Sequence, residues 1–185
     1  EIADGLLIDT IRCLAAFGLS LMPMDIRQES TRHTEALDAI TNFLDLGSYS
    51  DWDEQARRKW LEEELRSRRP LLPKGRKLDS YGFSPTVVDT LETFEVAASL
   101  EPGSLGAYVI SQCQQASDIL AVMLLQQESG VYPELRVVPL FETLDDLTRA
   151  PDTVRSLFSI DTYKKRINGH QEVKVGYSDS AKDAG

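Results

Sequence analysis

Two spacings of apolar residues alternate along the chain. Apolar side chains every three to four positions predict amphipathic helices. Short continuous apolar runs, rich in β-branched and aromatic residues, predict buried strands. The segment "IADGLLIDTIRCLAAFG" has the helical spacing, and Gly18 is placed to end it. "LSLMPMDIRQ" is extended and apolar before turning polar, with Pro23 arguing against a regular strand. "TRHTEALDAITNFLDLG" follows, its buried stripe expected at Ala36, Leu37, Ile40, Phe43 and Leu44 and its stop at Gly47. Ser50 is placed as N-cap of the helix "DWDEQARRKWLEEELRS", with acidic residues in the first turn. Residues 67–83, "SRRPLLPKGRKLDSYGF", carry Pro, Gly and five basic residues and predict a mobile loop. Ser84 and Pro85 restart a helix as N-cap and first residue, with Val87, Leu91, Phe94 and Ala98 inward.

The second half alternates regularly. "GAYVISQ" and "LRVVPLFE" predict strands, and "ASDILAVMLLQQES" a helix between them. "TLDDLTRAPDTVRSLFSI" predicts a helix broken near Pro151, and "QEVKVGYSD" a last strand with no helix after it. Strands separated by helices imply a parallel sheet covered on both faces, hence the α/β class. A doubly wound sheet and a (β/α)8 barrel both produce this order. A barrel takes about 250 residues, so four β units would make a helix-rich partial (β/α)8 barrel, about half of one.

Composition narrows the function. The formal net charge is −10, which argues against nucleic acid and against anionic membranes as partners. No stretch approaches the roughly 20 apolar residues of a membrane span. Cys13 and Cys113 lie far apart in apolar surroundings, which predicts two buried thiols in a reducing compartment. No P-loop, dinucleotide fingerprint, zinc motif or nucleophile elbow is present.

The chemistry gathers just past the predicted strands: Arg27 and Glu29, Ser111 and Gln112, Glu142, then Asp179 and Lys182. Parallel α/β folds bind ligands at that edge, so Glu142 and Asp179 would share one mouth although 37 positions separate them. Two such carboxylates suit a hard divalent cation with oxygen ligands, Mg²⁺ more than Ca²⁺ or Zn²⁺. The competing reading makes them caps of the following helices, with Thr143 at one helix start. Lys182 would be an electrophilic group beside the cation, or an ordinary solvated lysine. Arg27, Arg32 and His33 at a helix start suit a phosphate or carboxylate. Alternatively Arg27 pairs with Glu29 or Glu35, and His33 lies on the surface. The basic residues Arg66, Arg68, Arg69, Lys74, Arg76 and Lys77 read as a solvated loop.

"RQESTRHTEALDAI", "GAYVIS", "ASDILAV", "LRVVPLFETLDDL", "INGHQEV" and "GYSDSAKDAG", in this order and spacing, resemble the phosphoenolpyruvate carboxylase family over nearly the whole chain. The loop at 70–83 and "ISQCQQASD" around Cys113 are less typical of it. The resemblance implies a (β/α)8 barrel in a cytoplasmic homotetramer. It implies that phosphoenolpyruvate and bicarbonate give oxaloacetate and phosphate with Mg²⁺ or Mn²⁺. On this chain Glu142 and Asp179 resemble the metal ligands. Arg32 resembles the arginine that holds the substrate phosphate, with Arg27 beside it, and Lys182 a lysine next to metal and substrate. The family's catalytic histidine, in a segment like TAHPT, has no counterpart here, and neither His33 nor His170 replaces it by motif.

Residues 1–185 therefore read as an internal fragment of one catalytic barrel domain, inactive and poorly folded alone because half a barrel leaves sheet edges and apolar interior open. Two other functions fit the pattern. One is a different Mg²⁺-dependent, enolate-forming lyase or aldolase on a similar barrel, which would not need bicarbonate. The other is a non-catalytic helical interaction module, in which Glu142, Asp179 and Lys182 point in unrelated directions.

Overall fold

A computed structural model describes residues 5–18, 21–67, 69–73, 75 and 77–184, without the side chains of 178–180 and 184. Four strands, β1 (Met24–Glu29), β2 (Leu105–Ser111), β3 (Arg136–Phe141) and β4 (Lys174–Val175), form one parallel sheet in sequential order. Eight helices accompany them among the described residues: α1 (Leu6–Phe17), α2 (Ser30–Phe43), α3 (Glu54–Arg66), α4 (Pro85–Ser99), α5 (Ala116–Ser129), α6 (Leu144–Phe158), α7 (Asp161–Arg166) and α8 (Tyr177–Ala184). The α/β class and the parallel sheet hold.

The centre of the core is α5, whose residues from Ala116 to Gln126 are buried almost without a break. It packs between the sheet and α3 and α4, so it carries apolar side chains on all sides instead of one stripe. Its buried Gln126 accepts from Leu135 N (2.7 Å) and donates to Leu135 O (3.2 Å), satisfying both ends of its amide and fixing the start of β3. Tyr108 and Ile110 of β2 join this helical core. The other face of the sheet has its own small cluster, Ala107, Val109, Val138 and Leu140, to which no described helix residue belongs. Helical cover is thus one-sided where cover on both faces was expected.

Several boundaries moved, each for a local reason. Pro23 sits just before β1, where its missing N–H costs no ladder bond. Helix α2 stops at Phe43 because Asp45 turns left-handed (φ 57°), before Gly47 is reached, and Phe43 itself is exposed. The N-cap of α3 is Asp53, whose carboxylate accepts from Ala56 N (2.8 Å); Ser50 lies in a 3-10 turn, Tyr49–Asp51. That turn brings Tyr49 against Trp52 and Trp60 in an aromatic cluster with ring centroids 5.5–5.8 Å apart. Ser84 caps α4 as expected, but Ala97, not Ala98, completes the buried stripe.

In the 67–83 segment Leu71 is buried, its N–H donates to Glu128 (2.6 Å), and Leu78–Tyr81 form a 3-10 turn. Helix α6 runs unbroken through Pro151. Cys113 is buried but Cys13 is exposed on α1, which buries none of its residues. The final "QEVKVGYSD" contributes only two strand residues, and α8 follows them, so a helix does close the fourth unit.

Candidate functional site

Long side chains join strands that are not neighbours in the sheet. Arg27 on β1 crosses β2 to reach Glu142 after β3, its Nη2 donating to both carboxylate oxygens (2.9 and 3.1 Å). Nearer the amino ends, Lys174 Nζ on β4 lies 3.6 Å from Asp25 on β1. Register explains why both pairs share a face. Arg27 lies beside Val109, and Val109 beside Val138, so the face that buries the small cluster also bears the charges.

A β-bulge sets the position of Asp25. Met24 pairs with Leu105 but Ile26 with Tyr108, leaving Gly106 and Ala107 opposite one residue. The Asp25 carboxylate accepts the Ala107 N–H that the bulge leaves out of the ladder (2.9 Å). A Cβ on Gly106 would stand 2.7 Å from Asp25 Oδ1, so a larger residue there would make the Asp25 carboxylate shift.

Glu142 is positioned from two sides. Its own N–H and that of Thr143 donate to Asp146 (3.3 and 3.1 Å), and Asp146 N donates back to Thr143 Oγ1, making the capping box of α6. The cap is therefore Thr143 with Asp146, and the Glu142 side chain is left to face Arg27. Burial raises the Asp146 carboxyl, but hydrogen bonds from Thr143, Glu142 and Arg149 outweigh it and hold its pKa below the usual carboxylate range. On the other side Gly176 donates to Phe141 O (3.0 Å), and a Cβ on it would meet Glu142 Cγ at 2.7 Å. Gly176 is thus the gap that admits the Glu142 side chain. A glycine ending a strand was the available signal for such close approach.

The other expected residues divide. Arg32 lies in the first turn of α2, half-buried. The start of α2 is tied to the end of β2 by Ser30 Oγ, which donates to Gln112 O (2.8 Å), with Gln112 in the left-handed region (φ 54°). Lys182 is exposed on α8. Asp179 lies on the same helix, but its side chain is outside the described residues. Arg68, Lys74 and Arg76 of the basic loop also lie outside them. Helix α8 is anchored by Asp183, which accepts from Leu144 N (2.8 Å) at the start of α6; periodicity offered no sign of this.

His33 is not on the surface. It is wholly buried, its Nε2 2.8 Å from the Tyr108 hydroxyl, and burial lowers its pKa to about 3. Arg27 pairs with neither Glu29 nor Glu35. Beside the site, a cavity of about 330 Å³ opens between the starts of α2 and α5, lined by Ser30, Thr34, Gln112 and Gln115 among others.

The protein is thus of the α/β class, with Arg27 and Glu142 meeting near the carboxyl edge of its parallel sheet. The model of one family, phosphoenolpyruvate carboxylase, matches residues 1–185. The chain is 52% identical over 185 residues to phosphoenolpyruvate carboxylase 1 of Chlamydomonas reinhardtii and 55% over 188 residues to phosphoenolpyruvate carboxylase 1 of Arabidopsis thaliana. It is 55% identical over 184 residues to the phosphoenolpyruvate carboxylase of Amaranthus hypochondriacus. The chain belongs to the phosphoenolpyruvate carboxylase family. All of it aligns in each case, and it spans 18–19% of the length of these relatives.

Proposed function

We propose that this chain supplies part of the active site of an enzyme that carboxylates phosphoenolpyruvate with bicarbonate, releasing oxaloacetate and phosphate. The observation that carries the proposal is the pairing of Arg27 with Glu142 at the carboxyl edge of the sheet, in a chain of this family. Ion pairs that link β1 to the end of β3 and to β4 support a sheet closing into a (β/α)8 barrel, of which these residues would form about half. Two unpaired cysteines are in keeping with a cytoplasmic enzyme, and a homotetramer is the assembly the family resemblance suggests. Among the described residues no helix is long and apolar enough to cross a membrane.

The cation in this reading is of the Mg²⁺ or Mn²⁺ kind, with the Glu142 carboxylate as one oxygen ligand in place of its pairing with Arg27. A site of one or two carboxylates, completed by water and substrate oxygens, suits Mg²⁺ and not zinc. Glu142 and Asp179 would hold the ion, which supplies Lewis-acid stabilisation of developing negative charge.

Arg32 and Arg27 would bind the anionic groups of phosphoenolpyruvate through guanidinium N–H donors. Arg32 would keep the phosphoryl group in line as it passes to bicarbonate. Lys182 would stabilise the enolate oxygen as a point charge. Exclusion of water around this centre would protect the enolate until it attacks CO₂.

The test is an assay of the full-length protein for oxaloacetate, with bicarbonate present and removed. Bicarbonate-dependent product, lost at least a hundredfold in E142Q, supports the proposal. Turnover of phosphoenolpyruvate that ignores bicarbonate would assign the chain to an enolate-forming lyase instead. The 185 residues alone are expected to give no oxaloacetate, and product from them would overturn the fragment reading.

A further inference from the structure

We propose that His33 and Tyr108 are positioning residues: their buried hydrogen bond fixes the rotation of α2 and so the line along which Arg32 reaches the substrate. This rests on the reading of Arg32 as a ligand of the phosphoryl group given above. His33 and Tyr108 are each 0% exposed within the core of this chain, so their contact does not depend on what packs around the 185 residues.

The sheet holds one end of the pair. Tyr108 lies in β2 with Ile26 of β1 on one side and Val137 of β3 on the other, and its ring stacks on Phe94 of α4 (centroids 5.1 Å, planes 8° apart). The phenol is therefore a fixed point to which the helix is referred. His33 Nε2 meets its hydroxyl at 2.8 Å. Three residues earlier on the same helix face, Ser30 Oγ donates to Gln112 O (2.8 Å). Two directional ties on one face set the rotation of the first turn. Helix α2 follows β1 without a loop, so this setting is made at the carboxyl edge itself. Arg32 lies between the two tied residues in sequence, about 100° round the helix from His33.

Stability alone does not account for the pair. Two apolar residues of the same shape can serve a dry core as well as a hydrogen-bonded polar pair, or better. His33 Nδ1 has no hydrogen-bond partner among the described residues, which adds to the cost of burying the ring. What the pair supplies is direction, because a hydrogen bond weakens steeply with angle and apolar contact does not. A turn of α2 by about 20° would move a group at the side-chain radius of about 5–6 Å by roughly 2 Å. A misplacement of about 1 Å, caused far from the chemistry, can cost about a hundredfold in rate.

The test is a double-mutant cycle in the full-length protein, read as kcat/KM for phosphoenolpyruvate at saturating bicarbonate. Y108F deletes one oxygen from the pair and is expected to lower kcat/KM about tenfold. R32Q is expected to lower it about a hundredfold. Added to R32Q, Y108F is expected to cost less than about twofold more, because no guanidinium remains to be aimed. The helix side repeats the test: H33Q, whose amide nitrogen can take the place of Nε2, is expected to keep activity that H33F loses. Losses in Y108F and R32Q that multiply would show an effect that does not pass through Arg32 and would overturn the inference. Unchanged kcat/KM in Y108F, or H33Q no better than H33F, would overturn it as well, and each leaves the reading of Arg32 standing. Undiminished kcat/KM in R32Q would overturn that reading and this inference with it.

Discussion

His33 shows how far one residue's surroundings can reverse its sequence reading. In "STRHTEALD" it looks like a polar helix residue. In the fold it fills the space between α2 and β2, against Tyr108 and the Phe94 ring stacked on it (centroids 5.1 Å apart). Its pKa of about 3, against an ordinary 6.5, means that the folded protein refuses a proton the unfolded chain accepts. Stability from this group is fully present above pH 6.5 and falls as pH drops toward 3, by at most about 1.4 kcal/mol per unit. Urea unfolding between pH 7.5 and 4.5 should show that slope, flattened in H33F. Y108F should cost about 1–3 kcal/mol by leaving the imidazole unpaired, and H33F/Y108F should cost less than the sum of the two. Gly176→Ala is a second test at one position. Its Cβ would press on Glu142 Cγ at 2.7 Å, so Glu142 must turn and the Arg27 pair weaken. We expect oxaloacetate formation by the full-length protein to fall more than tenfold while its melting temperature changes little.

Helix α6 illustrates what an element tolerates. Pro151 removes one intrahelical N–H and crowds the preceding turn, a cost of about 3 kcal/mol in a helix interior. The helix persists because its start is secured by the Thr143–Asp146 box and its far half by burial of Thr153 and Leu157. Thr153 also donates to Gln114 O (2.9 Å), tying α6 to the segment before α5. Pro151 is exposed, so replacing it with Ala disturbs no packing. P151A is expected to raise the midpoint of thermal unfolding, corresponding to about 1–3 kcal/mol, and an unchanged or lower midpoint would refute this account. D146A should act in the opposite direction, by about 1–2 kcal/mol, because it removes the acceptor for two N–H groups at the start of α6.

For the molecule as a whole, surface is the informative quantity. Leu6, Leu7, Ile11 and Leu14 of α1 are between 50% and 86% exposed, and β1 and β4 are open edges of the sheet. Apolar side chains in that density favour association in water. Expressed alone, the 185 residues should elute in size-exclusion chromatography well above the 20.7 kDa of one chain, with a concentration-dependent position. A stable monomer at every concentration would show that this surface is tolerated in water.

Much of this architecture was legible from local signals. The strand-helix alternation, the Ser84–Pro85 start of α4, the span of α5 and the carboxyl-edge location of Glu142 follow from periodicity and caps, which act over a few residues. Family membership was legible from motifs of the same short range. What periodicity could not supply depends on residues far apart in sequence. The Arg27–Glu142 pair joins positions separated by 115 residues, His33 meets Tyr108 across 75, and Asp183 caps a helix 39 residues before it. The one-sided helical cover and the exposure of Cys13 were settled in the same way. Local sequence decides which backbone hydrogen bonds can form. Only the packed chain decides which side chains lose water and which charges meet.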